Sequence, residues 1–314
     1  MKLKTKAQPQ AKKKKKLTQY DLQMYSLWVI PLLLVFVFAY LPMGGAIIAF
    51  KDYKYNLGIF GSEWVGFDNF KFFFKSDVFA RITYNTLSMN FAFIIIGTVC
   101  AVFIAILLFE LRSRAATKVF QTIMITPNFI SWVIVAYMVF ALLNTQYGIV
   151  NNVLAALGMK KIEWYAKADY WPTILIISHV WKSIGMNSVM YYAGLMGIDS
   201  SLIEAAEIDG ANKSKVVFHI LLPMLIPLVT ILTILSIGNI FRADFGLFYN
   251  VPRNIGMLYK TTDVIDTYIF RTMREVGDMG MSSAVGLLQS VVGMITVIVT
   301  NAITKKINPD NALF

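Results

Sequence analysis

The chain has 314 residues, of which 57% are hydrophobic and only 15% are charged, and its mean hydropathy is +0.61. Soluble domains are about 45–50% apolar and about 25% charged, so this composition excludes an ordinary soluble protein and indicates a membrane protein. The net charge of +11 is explained by membrane topology and by eight lysines in the first 16 residues, and it does not indicate a nucleic-acid partner.

A basic tail begins the chain. Residues 1–19 carry a run of lysines, and we expect them to be disordered and cytosolic. No small-residue cleavage site follows the apolar segment 26–50, so the sequence predicts an uncleaved first transmembrane helix and not a secretory signal. We expect residues 20–314 to form one membrane domain.

Six apolar segments are long enough to cross a bilayer, which takes about 20 residues of helix. These segments are 26–50, 86–109, 119–143, 171–196, 216–241 and 281–304. The predicted fold class is therefore an all-α polytopic membrane protein with six transmembrane helices. Prolines inside several segments are tolerated because neighbouring helices satisfy the carbonyl groups that a proline frees.

Lysine and arginine orient these spans, because cytosolic loops carry an excess of both. Besides the tail, basic residues stand after the second span, between the fourth and fifth spans, and at the C-terminus. They are Arg112, Arg114, Lys118, Lys213, Lys215, Lys305 and Lys306. We therefore expect a multi-pass protein of the inner (cytoplasmic) cell membrane, surrounded by lipid, with both termini and the segment 199–223 in the cytosol.

The loop 51–85 is expected on the opposite side and is rich in aromatic residues, as in "EWVGFDNFKFFF". Such residues are typical of a short amphipathic helix that lies at the level of the lipid headgroups. A docking surface for an external partner is the alternative, and the sequence leaves both open.

No catalytic constellation is present in the sequence. His179 and His219 are far apart and stand near no cysteine or paired carboxylate, so no metal-ligand spacing exists. The chain has no GxxxxGK[ST] phosphate loop. We expect no enzyme activity, no metal site and no cofactor on this chain, and transport or signalling functions lead.

A polar stretch, "EAAEIDGANKSKVVFHILLP" at 204–223, interrupts the apolar chain between the fourth and fifth spans. Residues 199–201 suit a helix N-cap, and Ser201 with Glu204 has the spacing of a capping box, which predicts a short helix over 202–208. Gly210 suits the left-handed position that ends a helix. A second short helix, at about 211–219, is expected to lead into the fifth span.

The spacing of this stretch resembles the EAA loop of permease subunits in binding-protein-dependent ABC importers. Seven positions carry the pattern: Glu204, Ala205, Ala206, Gly210, Ile220, Leu222 and Pro223. The segments "VGFDNF" at 65–70 and "NTL" at 85–87 resemble maltose-type sugar permeases. "GMLYKTTDVIDTYIFRTM" at 256–273 and "GDMGMSSAVGLLQSVVG" at 277–293 resemble the branch that carries oligosaccharides and polysaccharides.

The resemblance implies a set of partners. Such a permease pairs with a second, homologous permease and with two cytosolic ATPase subunits, which hold ATP and Mg, and an extracytoplasmic binding protein delivers the sugar. The EAA helix would enter a cleft on an ATPase and carry its motion to the spans. Glu204 would make polar contacts there, Ala205 and Ala206 would allow close seating, and Gly210 would set the turn.

Substrate contacts are predicted on the spans. Lys182 lies in the middle of the fourth span, where a charge usually faces an interior or a water-filled path. We expect it to line the translocation path or to pair with the partner permease, and the alternative is a structural charge that reaches a helix terminus or an interface. Trp181, Asn187, Asn239 and Gln289 are further candidates for the path, although aromatic residues on spans more often serve packing.

The function predicted from these features is that of a permease subunit that imports an oligosaccharide. Another solute, such as a peptide or an amino sugar, is the alternative within the same family. A secondary transporter would usually need more spans or an internal repeat, and neither it nor a sensory scaffold explains the EAA loop.

Overall fold

The computed structural model describes residues 18–71, 76–111, 113–307, 309 and 312. The predicted all-α class is confirmed, because helices make up most of the described residues and their only strands are two of two residues each. The chain divides into two compact units, Met1–Ile47 and Ile48–Phe314. Most of the predicted basic tail lies outside the described residues.

The first unit contains the start of one long helical stretch. Its elements are α1 (Gln19–Val35), a π-helical turn (Phe36–Tyr40), α2 (Leu41–Met43) and the beginning of a 3-10 helix (Gly44–Phe50). Pro42 has no backbone N–H to continue the α-helical hydrogen bonds, and the wider π turn ends two residues before it. Nearly all side chains described in this stretch are exposed, as lipid-facing side chains would be.

The loop after the first span forms a small hairpin. Strands β1 (Lys51–Asp52) and β2 (Glu63–Trp64) pair antiparallel around the short helix α3 (Gly58–Gly61), and a 3-10 turn follows at Asp68–Phe70. The ring of Phe50 packs against three other rings at centroid distances of 5.4–5.8 Å. The described aromatic residues of the loop thus pack on one another, whereas residues 72–75, where the aromatic stretch of the sequence ends, lie outside the described residues.

Twelve further α-helices follow in the described residues. They are α4 (Asp77–Phe109), α5 (Arg114–Ile125), α6 (Trp132–Leu143), α7 (Ile149–Ala156), α8 (Trp171–Met196), α9 (Ser200–Ile208), α10 (Lys213–Val216), α11 (Leu222–Gly238), α12 (Phe245–Asn250), α13 (Tyr259–Thr262), α14 (Ile265–Arg271) and α15 (Met279–Ile307). Short 3-10 helices lie at Thr126–Phe129, Trp164–Ala166, Ala168–Tyr170 and Gly256–Leu258, and π turns at Val217–Leu221 and Thr272–Val276.

Four helical stretches among the described residues are long and apolar enough to cross a membrane. They are Gln23–Phe50, Asp77–Phe109, Lys213–Gly238 and Met279–Lys306. They match the first, second, fifth and sixth predicted spans, although the second begins nine residues earlier than predicted. The fourth predicted span is the continuous helix α8 with the predicted bounds, but it is not among these four.

The third predicted span, 119–143, is not one continuous helix. A break separates α5 with its 3-10 extension from α6, and the two parts are bent by 97°. Pro127 removes a backbone donor at this point, and Ser131 begins α6 as a new N-cap by accepting a hydrogen bond from the Ile134 N–H. The broken pair is apolar enough to count as a fifth span if its two parts are taken together.

Helices α4 and α8 pack along each other more extensively than any other pair of elements. Helix α5 also lies against α8, where Gly185 allows the closest approach: a Cβ at this position would overlap with the carbonyl group of Met124. Apolar clusters fill the interior on both sides of this contact, one around Trp171 and one around Leu195. Helix α8 therefore contributes buried side chains to both clusters.

Candidate functional site

The polar segment 199–223 contains the predicted short helix, α9. Asp199 caps it by accepting a hydrogen bond from the Ser201 N–H at 3.0 Å, and this bond lowers the pKa of the Asp199 carboxyl. The predicted capping box of Ser201 and Glu204 is not formed, because the cap lies at Asp199 and the helix begins at Ser200. The predicted short helix is thus confirmed, with its start two residues earlier.

The turn after α9 requires a glycine. Gly210 has a φ of +80°, its N–H donates to the Glu207 carbonyl at 3.1 Å, and the Ala211 N–H donates to the Ala206 carbonyl at 2.9 Å. These two bonds form a Schellman motif, whose left-handed position glycine occupies without steric strain. The predicted left-handed glycine is confirmed.

The two alanines of the EAA pattern lie in different surroundings. Ala206, together with Ile203, packs into an apolar cluster formed with α4, α8 and α11, in which Leu195 and Leu221 are fully buried. Ala205 is exposed. The small size of Ala206 therefore serves packing within this chain, whereas that of Ala205 leaves space on the outside.

The exposed side of α9 is apolar along its middle. Leu202 is 47% exposed and Ile208 is 85% exposed, and together with Ala205 they lie at three-residue spacing, which places them on one face of a helix. Glu204 and Glu207 are exposed beside them. We call these five residues the outer face of α9, and an exposed apolar stripe with a charged rim is typical of a contact surface.

An ion pair ties this segment to the end of α4. The Lys213 Nζ lies 2.6 Å from a carboxylate oxygen of Glu110, and Asn212 caps α10 by accepting a hydrogen bond from the Lys215 N–H. An exposed pair of this kind contributes at most about 1 kcal/mol. It does show that the loops after the second and fourth predicted spans lie at the same end of the fold.

A cavity of about 440 Å³ opens between α4, α8 and α11. Polar groups from all three helices and from the residues just after α11 face it, among apolar side chains such as Phe93 and Leu232. The polar residues are Asn90, Thr98, His179, Asn187, Ser236, Asn239 and Arg242. A mostly apolar cavity with a few convergent polar groups is the usual form of a small-molecule site.

Several of these polar groups are already held by the protein. The Asn90 amide donates to the carbonyl groups of Ile240 and Arg242, at 2.7 and 3.0 Å, and so fixes the turn after α11. The Arg242 guanidinium donates to the Ser290 hydroxyl at 3.3 Å and keeps the rest of its donors. His179 stacks on Phe93 with ring centroids 4.0 Å apart, and its buried Nδ1 has no hydrogen-bond partner among the described residues.

Two of the five predicted path residues, Asn187 and Asn239, line this cavity, whereas Lys182 does not. The Lys182 ammonium donates to the carbonyl groups of Asn128 at 2.7 Å and Pro127 at 3.4 Å. Its position 5.3 Å from the Trp132 ring centroid adds a cation–π contact. These carbonyls belong to the break between α5 and α6, so Lys182 lies where a positive charge meets a helix terminus, the structural alternative in the sequence analysis.

Trp181 and Gln289 also lie away from the cavity lining. Gln289 is 7% exposed, and its amide donates to the Phe241 carbonyl and to the Asp266 carboxylate. Its amide donors are thus used by the segment after α11 and by α14. Trp181 is 39% exposed, so it lies at the surface of α8.

The sequence prediction missed Arg242, His179 and Asn90. Arg242 stands one residue beyond the predicted end of the fifth span, so the search along the spans did not include it. His179 lies eight residues before Asn187, two turns along the same helix, and this spacing was the available signal. Asn90 has no local pattern, because its partners lie about 150 residues further along the chain.

Comparison with known families matches residues 94–309 to the family described as "Binding-protein-dependent transport system inner membrane component". The chain is 33% identical over 290 residues to Protein LplB of Bacillus subtilis (strain 168), covering 92% of this chain and 91% of that protein. It is 32% identical to the polygalacturonan/rhamnogalacturonan transport system permease protein YteP of the same organism, covering 94% and 92%.

Solved structures give the same result for the fold. The chain is similar to a chain in the crystal structure of a bacterial ABC transporter involved in the import of the acidic polysaccharide alginate, with a TM-score of 0.84, 30% identity and coverage of 92% of this chain and 97% of that one. A bacterial alginate ABC transporter in complex with an alginate pentasaccharide-bound periplasmic protein matches with a TM-score of 0.83 and 30% identity, covering 92% and 96%.

Proposed function

The chain belongs to the family of binding-protein-dependent transport system inner membrane components, and from this premise we propose that it imports an oligosaccharide as one permease subunit of an ABC transporter. It is a multi-pass inner-membrane permease subunit and not an enzyme. The observation that carries the proposal is the similarity over 92% of the chain, at a TM-score of 0.84, to a transporter of an acidic polysaccharide.

The proposed topology has six spans, with α8 and the broken pair α5–α6 added to the four most apolar stretches. Helix α8 has 26 residues, which gives about 39 Å at 1.5 Å per residue and exceeds the roughly 30 Å core of a bilayer. Its polar residues Lys182 and His179 are partly buried inside the fold. Both termini and α9 would then lie in the cytosol.

Contacts between loops support this sidedness. The pair of Lys213 with Glu110 joins two loops that the sequence analysis predicts on the cytosolic side. Lys260 lies 3.5 Å from Asp169, and the Asn85 amide donates to the Lys260 carbonyl. These contacts join the loop 51–85 to the two loops that would share its side in a six-span topology. Each group of loops therefore meets at its own end of the fold.

The outer face of α9 is the proposed contact with an ATPase subunit. Ala205 allows close approach, Leu202 and Ile208 supply apolar surface, and Glu204 lies beside them for a polar contact. Two ATPase subunits would bind ATP and Mg and hydrolyse the ATP, and α9 would carry their closure to the spans. A second, homologous permease and an external sugar-binding protein complete the proposed assembly.

The proposed path for the sugar runs past the cavity of about 440 Å³. Asn187, Asn239 and the spare donors of Arg242 can exchange hydrogen bonds with sugar hydroxyl groups, and Phe93 supplies apolar surface. A peptide or an amino sugar is the alternative cargo, and an uptake panel that includes both distinguishes them. A secondary transporter would take up its substrate without ATPase subunits.

The test combines purification with uptake. Tagged chain from its native cells should bring along ATPase and second-permease subunits, and a deletion strain should lose uptake of a saccharide from a panel of oligosaccharides, peptides and amino sugars. Glu204→Lys should abolish that uptake, whereas Glu163→Lys, which changes an exposed carboxylate in a loop on the other side, should not. Reproducible purification without an ATPase, or normal uptake in Glu204→Lys, would refute the proposal.

A further inference from the structure

A second cavity, of about 530 Å³, lies at the end of the fold away from α9. It is formed where α6 ends, next to the 3-10 turn at 164–166 and the turn after α12. The residues that matter are Phe140, Asn144, Gln146, Tyr165 and Arg253. The Tyr165 hydroxyl lies 3.5 Å from the Val251 carbonyl, which joins the two loops across the cavity.

Arg253 occupies the border between this cavity and a smaller one of about 210 Å³. Its guanidinium lies 4.3 Å from the centroid of the Phe140 ring, and no carboxylate of the described residues forms an ion pair with it. Arg253 is exposed, and its guanidinium is backed by the Phe140 ring. Its N–H groups are therefore available to a ligand. A planar guanidinium held in this way is suited to bidentate binding of a carboxylate or phosphate.

The backbone at Arg253 is strained. Arg253 and Asn254 have φ of 60° and 50°, a left-handed conformation that asparagine tolerates and arginine rarely adopts. The turn is held by hydrogen bonds from the Arg253 N–H to Asn250 at 3.0 Å and from the Asn254 N–H to Tyr249 at 3.1 Å. A strained backbone at a bulky residue often persists where the side chain has a function. Here the turn positions the Arg253 guanidinium at the cavity.

Neutral polar groups surround the charge. The Asn144 side-chain oxygen accepts hydrogen bonds from the N–H groups of Gln146 and Tyr147, at 2.9 and 3.0 Å, so its Nδ2 donors remain for a ligand. Burial raises the pKa of Tyr165 to about 12, and the charge of Arg253 lowers it in part, so the phenol is a neutral donor and acceptor at physiological pH. Amides, a phenol and ring faces are the groups that hold a polyhydroxylated ring.

We propose that this cavity is an outer subsite for an anionic saccharide, in which Arg253 binds the carboxylate of a uronic acid residue. Phe140 holds the guanidinium plane, and Tyr165, Asn144 and Gln146 bind hydroxyl groups of the same or the next residue. The inference rests on the proposed function for its saccharide class. It adds a requirement for a negatively charged saccharide, at a position outside the cavity of about 440 Å³.

The test measures binding without transport. The full chain in phosphatidylcholine nanodiscs, which contain no anionic headgroups, is titrated by calorimetry with trigalacturonate and with its fully methyl-esterified form. The trisaccharide should bind at least about ten-fold more tightly than the ester, and Arg253→Gln should weaken trigalacturonate binding by about 10- to 100-fold. Arg274→Gln, which removes another exposed arginine that lies over a phenylalanine ring, is the matched control and should bind like the wild type.

A second variant protects the result against misfolding. Arg253→Gly removes the guanidinium while glycine accepts the positive φ, so it should fold and should also lose trigalacturonate binding. Retained affinity in either variant at Arg253, equal loss in Arg274→Gln, equal binding of the ester, or full displacement by equimolar inorganic phosphate would overturn the proposal. A chain that binds trigalacturonate through Arg253 but supports no saccharide uptake would refute the proposed function alone.

Discussion

The sharpest test of the proposed coupling role uses two neighbouring alanines and one substitution. Ala205 is exposed on the outer face of α9, and Ala206 packs against the chain's own apolar cluster. Replacing each in turn by leucine adds the same three carbon atoms, and leucine has nearly the same helix propensity as alanine. The two variants therefore differ only in which surface receives the extra volume.

The expected magnitudes follow from burial. Ala206→Leu overfills a packed cluster beside Leu195 and Leu221, which should lower the free energy of unfolding by about 1–3 kcal/mol. Ala205→Leu changes an exposed site and should leave stability within about 0.5 kcal/mol of the wild type. At a closely seated contact with an ATPase, the same three carbons should cost about 1–3 kcal/mol of binding, which weakens the complex about 5- to 150-fold.

Two measurements on each purified variant decide the outcome. Thermal unfolding in detergent should shift for Ala206→Leu and not for Ala205→Leu, while saccharide-stimulated ATP hydrolysis by the complex in proteoliposomes should fall for Ala205→Leu at normal protein content. Normal hydrolysis in a stable Ala205→Leu complex would refute the coupling face. Unchanged unfolding of Ala206→Leu would refute its place in the cluster.

Three further substitutions test the fold. Gly185→Ala should lower the unfolding temperature, at a cost of about 1–3 kcal/mol, because its Cβ would overlap with the Met124 carbonyl; unchanged unfolding would contradict this contact. Asp263→Ala should cost about 1–3 kcal/mol, because it removes the buried carboxylate that lies 2.8 Å from the partly buried Arg271 guanidinium and leaves that group without its nearest partner; a loss below about 1 kcal/mol, measured by thermal unfolding, would contradict it. Burial raises the pKa of Asp266 above 3.8, so its contribution to stability is fully present below pH 3.8 and is lost as the pH rises through the folded-state pKa. Asp266→Asn should remove that pH dependence, and an unchanged profile would refute the assignment.

The segment 199–223 was predictable because its information is local. A glycine that follows a short helix specifies a reversal of the chain direction that depends on no distant partner. Gly210 indeed has a φ of +80°. The same locality explains why α8 has its predicted bounds. Local patterns of this kind identify elements but do not show what each element contacts.

The break in the predicted third span shows the limit of that approach. Pro127 signals a kink, but the sequence does not show that the Asn128 carbonyl at the 97° bend accepts a hydrogen bond from Lys182, 54 residues further along the chain. In the same way, the Gln289 amide donates hydrogen bonds to the Asp266 carboxylate and to the Phe241 carbonyl, which are far from it in the sequence. A polar residue on a span can be predicted from sequence, whereas the group that uses it depends on which helices meet.

Packed side chains connect α9 with the cavity between α4, α8 and α11. Tyr191 is 4% exposed and belongs to the apolar cluster on which Ile203 and Ala206 rest, and it also lines the cavity of about 440 Å³. Because such interiors are close-packed, they transmit a displacement instead of absorbing it. A push on α9 would therefore reach the cavity through Tyr191 and not through the exposed pair of Lys213 with Glu110, which is too weak to carry it. A double-mutant cycle at positions 206 and 191, with saccharide-stimulated ATP hydrolysis as the readout, distinguishes these two routes. A coupling free energy between the two positions supports the route through Tyr191, and its absence contradicts that route.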